Sequence, residues 1–311
     1  MSNACLHVTS VAVARFDSAD TNDELGFGFA VLLIEQLRGV ASLRVVPGRQ
    51  SLAPCDDTPE EVGRRSGVDA VLTGTLHVEG DALTVVALLV DPLTERELWT
   101  DRYAVHCHDI LHVARGIAER VCDAIVRGGS IGRRLAPASA HAWDAFCAYA
   151  AARSLDWFGA DDALPRAARL YERAAVLAPM LVSAAAARAF ALALLIADGR
   201  RDARELASVT EAATAALRRD RMLADAWAAL GLVALLESDS RKSESCLRRA
   251  LQLDPLCTRA RLALADALDS LQKPEEAARE RAVCADAARE PFACSLPALY
   301  TTPEIPSHRD S

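Results

Sequence analysis

Two segments of this chain end in nearly the same phrase, LYERAAVLAP (170–179) and CLRRALQLDP (246–255). Each reads as the last turns of an amphipathic helix, with apolar or small residues at helical spacing and a closing proline, Pro179 or Pro255, at the same phase. A repeated helix ending constrains the fold strongly, because units of this kind cannot bury their apolar faces alone and must stack in an array. Alanine, the strongest helix former, is abundant from about Pro137 onward, and aromatic residues make up only 5% of the chain. The helices of the array are therefore expected to pack closely.

The spacing fits the 34-residue tetratricopeptide (TPR) unit of two antiparallel helices. In such a unit bulky residues at positions 4, 7, 11 and 24 fill the space between helices, and small ones at 8, 20 and 27 let them approach. The clearest unit starts at Ala224, with Trp227, Leu230, Gly231, Ser243, Leu247, Ala250 and Pro255 in phase. The next, from Thr258, keeps Leu264, Ala265, Leu268 and Ala277. It places Arg261 and Arg281 at bulky positions and has no closing proline, as a terminal unit would. An earlier unit supplies Phe158, Ala167, Tyr171, Ala174 and Pro179. Between Pro179 and Ala224 a lengthened helix pair is expected, with its turn at Ala197 to Asp202.

The first 130 residues carry a different pattern. Strand signals at Val8–Phe16, Leu43–Val46, Asp69–Val78, Leu83–Val90 and Glu97–Val105 alternate with helices at Glu24–Leu37 and after Thr58 and Asp109. Thr58-Pro59-Glu60-Glu61 reads as a capping box with proline in the first turn. Glu79-Gly80-Asp81 reads as a hairpin turn, Asp91 to Thr94 as a second turn, and Asp109 as a helix cap. The fold class expected is an α/β domain with a mixed sheet at residues 1–128, a linker at 129–138, and an all-α TPR solenoid at 139–290. Residues 291–311 are expected to form a disordered tail.

The net charge of -8, with no basic run longer than Arg133-Arg134 or Arg200-Arg201, argues against direct nucleic-acid binding. The nine cysteines contain no CxxC pair, which points to a reducing, cytoplasmic setting rather than a disulfide framework. The N-terminus, MSNACLHVTSVAVARF, lacks the pattern of a signal peptide, and no membrane span is expected.

The segments SVAVARF (10–16), LRVV (43–46), PEEVGRRSGVDAVLTGTLHVEGDALTVVALLVDPLTERELWTDRY (59–103) and HDILHVARGIAERV (108–121) resemble a known bacterial architecture. In it a domain likened to the N-terminal domain of TolB, and to FlgO-like domains, precedes TPR units. The likeness runs from about Ser10 to Glu290. It implies a regulatory role, since such modules usually follow a winged-helix, adenylate cyclase or kinase output domain. With the first strand near residue 10, it also implies that any output domain is supplied by another chain. One departure stands out. The first helix, acidic in that family after a glycine matching Gly28, here carries Phe27, Phe29, Val31, Leu32, Leu33 and Ile34. Apolar all round, it is expected to be covered on both sides, either within the chain or by a homodimer contact through Phe27 and Val31.

No catalytic residue, cofactor site or metal ligand is assigned. His106-Cys107-His108 with His112 is the one cluster of metal-ligand residue types, and it lacks a carboxylate or second cysteine at zinc spacing, so surface histidines at a strand-to-helix turn are expected. No GxSxG, HExxH or phosphate-binding glycine loop occurs; Gly26-Phe27-Gly28 lacks the third glycine. The first helices of TPR units line a groove through positions 2, 5, 9, 12 and 13. Here these give Asp225, Ala228, Leu232, Leu235 and Leu236, then Arg259, Leu262, Asp266, Asp269 and Ser270. An amphipathic or basic helix of a protein partner would suit such a groove. The chain is thus expected to be a non-enzymatic adaptor. The alternatives are a transcription regulator lacking its own DNA-binding domain, or an assembly factor or chaperone for a secretion or envelope system.

Overall fold

A computed structural model describes residues 8–18, 23–38, 43–46, 48–52, 57–126, 141–159 and 163–289. The expected linker and tail lie outside these residues, as does the Gly128-Gly129 helix end.

The first part is built on a five-stranded sheet. Its strands are β1 (Ser10–Ser18), β2 (Arg44–Val45), β3 (Ala70–Glu79), β4 (Ala82–Val90) and β5 (Glu97–His106), in the order β2-β1-β3-β4-β5. β1 runs parallel to β2 and β3, and β3, β4 and β5 form an antiparallel meander. Helix α1 (Asp23–Arg38) connects β1 to β2; a single turn, α2 (Gly48–Ser51), and α3 (Pro59–Ser66) lead to β3; α4 (Ile110–Val126) follows β5. Alternation along the strands separates the faces. Val11, Val13, Leu72, Leu76, Val85 and Leu89 pack with α1 and α4. Ala12, Ala14, Val71 and Val62 form a smaller core with α3 on the other face.

Local chemistry explains the boundaries. The Thr58 side chain accepts from the Glu61 backbone and Glu61 reaches back to Thr58, so the capping box forms, and Gly67 ends α3 in the left-handed conformation. Pairing of Glu79 with Ala82 leaves Gly80 and Asp81 as a two-residue turn with Gly80 at φ 60°. At the next turn Asp91 accepts from the backbone of Leu93 and Thr94. Asp109 is not the simple cap expected. A 3-10 turn, Cys107–Asp109, precedes α4, and Asp109 closes that turn from within.

One carboxylate ties β1 to β3. Asp69 Oδ2 accepts from the backbone and hydroxyl of Thr9 and of Ser10, at 2.8–2.9 Å. These bonds hold its acid group below the usual carboxylate range, the backbone donor of Thr9 contributing most. A depressed folded-state value contributes stability that is present above the ordinary pKa and lost as pH falls through the folded one. Asp69→Asn is therefore expected to melt below wild type at neutral pH and to converge with it in acid. Melting curves across that range check this, and a constant gap would refute it.

Among the described residues the second part is a solenoid-like array of eight helices: α5 (Ala142–Phe158), α6 (Leu164–Leu177), α7 (Val182–Ala197), α8 (Leu206–Arg219), α9 (Ala224–Leu236), α10 (Ser240–Leu253), α11 (Thr258–Ser270) and α12 (Pro274–Arg289). Each packs on the next, and α7 and α11 also pack on α9. The lengthened pair is α7 and α8, joined through a left-handed Gly199 and a 3-10 turn. The small positions are buried as the phase requires: Ala167, Ala174, Ser243, Ala250 and Ala277. A side chain at Gly231 would meet Leu247 Cγ at 2.5 Å, so this glycine sets the approach of α9 to α10. Two expected core fillers differ. Trp227 and Leu230 are only half-buried, because Ala226, Ala229 and Val233 take the inward face of α9. The Trp227 indole instead donates to the Arg221 carbonyl at 3.0 Å.

The two parts share one core. Residues of the sheet, α1, α4, α5 and α6 form a single contiguous cluster. Helix α1 lies between the sheet and α5, and two glycines make this possible. A side chain at Gly26 would strike the Phe16 carbonyl oxygen at 1.8 Å, and one at Gly28 would strike Ala150 Cβ at 2.2 Å. Aromatic edges fill the rest: Phe29 between Phe16 and Phe146, and Phe27 against Trp157 and Phe158. This settles the all-round apolar helix. Phe27 and Val31 are both buried inside the chain, so these side chains do not offer the homodimer surface considered above.

Candidate protein-binding surface

The polar part of the seam between α1 and the array is organised by Arg153. Its side chain is 5% exposed. The guanidinium donates to Asp225 at 2.6 Å, to the Tyr149 hydroxyl at 2.9 Å and to Glu35 at 3.4 Å. Tyr149 in turn donates to Glu35, and the Arg153 guanidinium lies 5.2–5.9 Å from the rings of Tyr149, Tyr171 and Trp157. A second branch joins Asp156 to the Tyr171 hydroxyl at 3.1 Å and to Arg259. Five helices are thereby linked, α1 through Glu35, α5 through Arg153 and Asp156, α6 through Tyr171, α9 through Asp225 and α11 through Arg259. Burial raises the acid group of Glu35, opposed chiefly by the nearby Arg153. A cleft bordered by Arg38, Trp157, Met222, Asp225 and Asp254 opens beside the network.

The groove residues expected from the repeat phase divide into two groups. Ala228 and Leu232 are buried among neighbouring helices, and Asp225 is engaged by Arg153. Helix α9 sits deeper in the array than a free lining helix would, which withdraws these three. The others remain accessible: Leu235 is half-buried, Leu236 and Leu262 are 38% and 43% exposed, and Asp266 is exposed. Asp266 and Asp269 both bind Arg281 of α12, at 2.8 and 2.7 Å. Arg259, read as a groove residue, is turned to Asp156. Sequence reasoning missed the Arg153 network because its members lie far apart in the chain, and two of them, Asp225 and Arg259, read as groove residues. The only local signal was a run of aromatic and charged residues, Tyr149 to Trp157, on one helix.

Among the described residues, five cysteines carry thiols that are less acidic than usual. Burial pushes the thiols of Cys107, Cys246 and Cys284 up, Cys122 to about 11 and Cys147 to about 12. A nucleophilic or thiolate-ligand cysteine needs the opposite shift. The glycines of Gly26-Phe27-Gly28 serve close helix packing, as described above. Among the described residues, no helix is long and apolar enough to cross a membrane.

No family model matches the chain. Among curated proteins, "Putative adenylate cyclase 3" of Rhizobium meliloti (strain 1021) is 29% identical over 121 residues, covering 37% of this chain and 21% of that protein. The chain thus spans about a fifth of the length of that relative. Among solved structures, TolB from Acinetobacter baumannii aligns at 13% identity and a TM-score of 0.31, covering 38% of this chain and 28% of that one. MamA from AMB-1 aligns at 16% identity and a TM-score of 0.32, covering 59% and 98%.

Proposed function

We propose that this chain is a protein-interaction module of the TolB-like plus TPR kind, acting as a non-enzymatic adaptor in bacterial regulation. The observation that carries the reading is the surface shared by α9 and α11. Leu236 on α9 and Leu262 on α11 are exposed leucines, Leu235 is half-buried and Asp266 is exposed, while α5 is already covered by α1. A helix with an apolar stripe and a basic flank fits such a surface: its apolar residues would cover the leucines, and its basic residues would compete with Arg281 for Asp266 and Asp269. The partial match to a cyclase-named protein supports a module that accompanies different output domains; the regulatory role itself rests on the resemblance of the segments quoted above.

The test is capture from native lysate with the full chain and with a Leu236→Glu/Leu262→Glu double variant. Both positions are accessible, so the variant should melt as wild type does. Proteins bound by wild type and lost by the variant are the expected result. The same proteins recovered in the same yield by both would refute the surface.

A further inference from the structure

The histidine cluster of the sequence is rearranged in the fold. Cys107 turns inward, its thiol 3.9 Å from the Gly80 carbonyl, and His112 is buried in α4. His106 and His108 remain outside, with their rings stacked 5.2 Å apart. The missing carboxylate arrives from the β3–β4 turn. Antiparallel pairing sets Ala82 opposite His106, and the Cys107 backbone donates to the Asp81 carbonyl at 2.9 Å, so the ladder itself holds Asp81 beside the histidines. Asp81 Oδ2 lies 3.3 Å from Nδ1 of His106.

We propose that Asp81, His106 and His108 form a binding site for a divalent transition-metal ion of the zinc class. One ligand atom from each falls within 4.8 Å of the others. Tetrahedral coordination at metal–ligand distances near 2.1 Å requires ligand atoms about 3.4 Å apart. The side chains of Asp81 and His106 are 76% and 68% exposed, so rotation about their own bonds supplies the remaining approach while the backbone stays fixed. Two imidazoles and one carboxylate are a donor set for Zn2+, Co2+ or Ni2+ rather than for Mg2+ or Ca2+. Asp109 Oδ2 stands 3.9 Å from Nε2 of His108 and adds negative charge beside the site. Three protein ligands leave a fourth position for water. The bound ion would tie the hairpin turn to the start of α4.

The experiment titrates Zn2+ into the chelator-stripped full chain, with only the accessible thiols alkylated under native conditions, and follows binding by calorimetry. One equivalent is expected to bind at neutral pH. Affinity should fall at least tenfold in each of Asp81→Ala, His106→Ala and His108→Ala, with melting curves unchanged in the absence of metal. Replacing Zn2+ with Co2+ should give a spectrum free of thiolate-to-metal charge transfer, before and after alkylation. No detectable binding, or binding unchanged in the two histidine variants, would overturn the site.

Discussion

Arg153→Met is expected to destabilise the protein by about 3–5 kcal/mol, the usual cost of removing one partner from a buried ion network. The methionine keeps length and apolar bulk but leaves Glu35 and Asp225 without their shared cation. The pH dependence identifies the cause. Burial already raises the acid group of Glu35, and Arg153 opposes that shift. Without Arg153 the value rises further. A raised folded-state carboxyl costs nothing below its ordinary pKa and its full amount above the folded one. The deficit of Arg153→Met should therefore be largest at neutral pH and shrink as Glu35 takes up a proton in acid. Urea titrations of both proteins at several pH values measure it. Because Asp69 titrates alike in both, its contribution cancels in the difference. A deficit independent of pH would show that lost packing on Tyr149, Trp157 and Tyr171 is responsible instead.

Gly28→Val should cost about 3 kcal/mol, the upper part of the usual range for overpacking. The first added atom would stand 2.2 Å from Ala150 Cβ and 2.8 Å from its Cα, so α1 and α5 must separate. Retreat toward the sheet is blocked at Gly26, which already abuts the Phe16 carbonyl. Gly116→Ala is the control. A Cβ there meets nothing within 4 Å, and an alanine inside α4 should stabilise by about 0.5–1 kcal/mol. Melting temperatures moving in opposite directions would confirm that close approach, rather than any general loss of glycine, is at stake.

Much of this fold was legible in local chemistry. The capping box at Thr58, the Gly80 turn, the alternation in β4 and the proline-closed helices of the array all depend on residues near one another in the chain. Boundaries moved by a residue or two, and β2 shrank to Arg44–Val45 because only two residues pair with β1. What local patterns do not contain is which surface covers which. The composition of α1 required two apolar neighbours, yet its second neighbour, α5, is more than a hundred residues away. No local pattern singles out Glu35 or Arg153, Asp225 reads as a groove position, and only the packing of α1, α5 and α9 brings the three together. Of the groove residues named from the repeat phase, the depth at which α9 sits removes Ala228 and Leu232 from the surface, which spacing along one helix does not express. Likewise Asp81 joins the histidines through strand register, which spacing along the chain does not express.

Helix α1 joins the sheet domain and the first helix pair through one core, so the two are expected to unfold as one cooperative body, with α9 and α11 left for the proposed partner. Equilibrium urea unfolding of two single-tryptophan variants tests it most directly. One retains only Trp99, on β5, and the other only Trp143, on α5, and both residues pack on the shared core. Coincident transitions with the same midpoint and slope are expected. Separate transitions, with one tryptophan reporting a unit that unfolds while the other stays native, would contradict it.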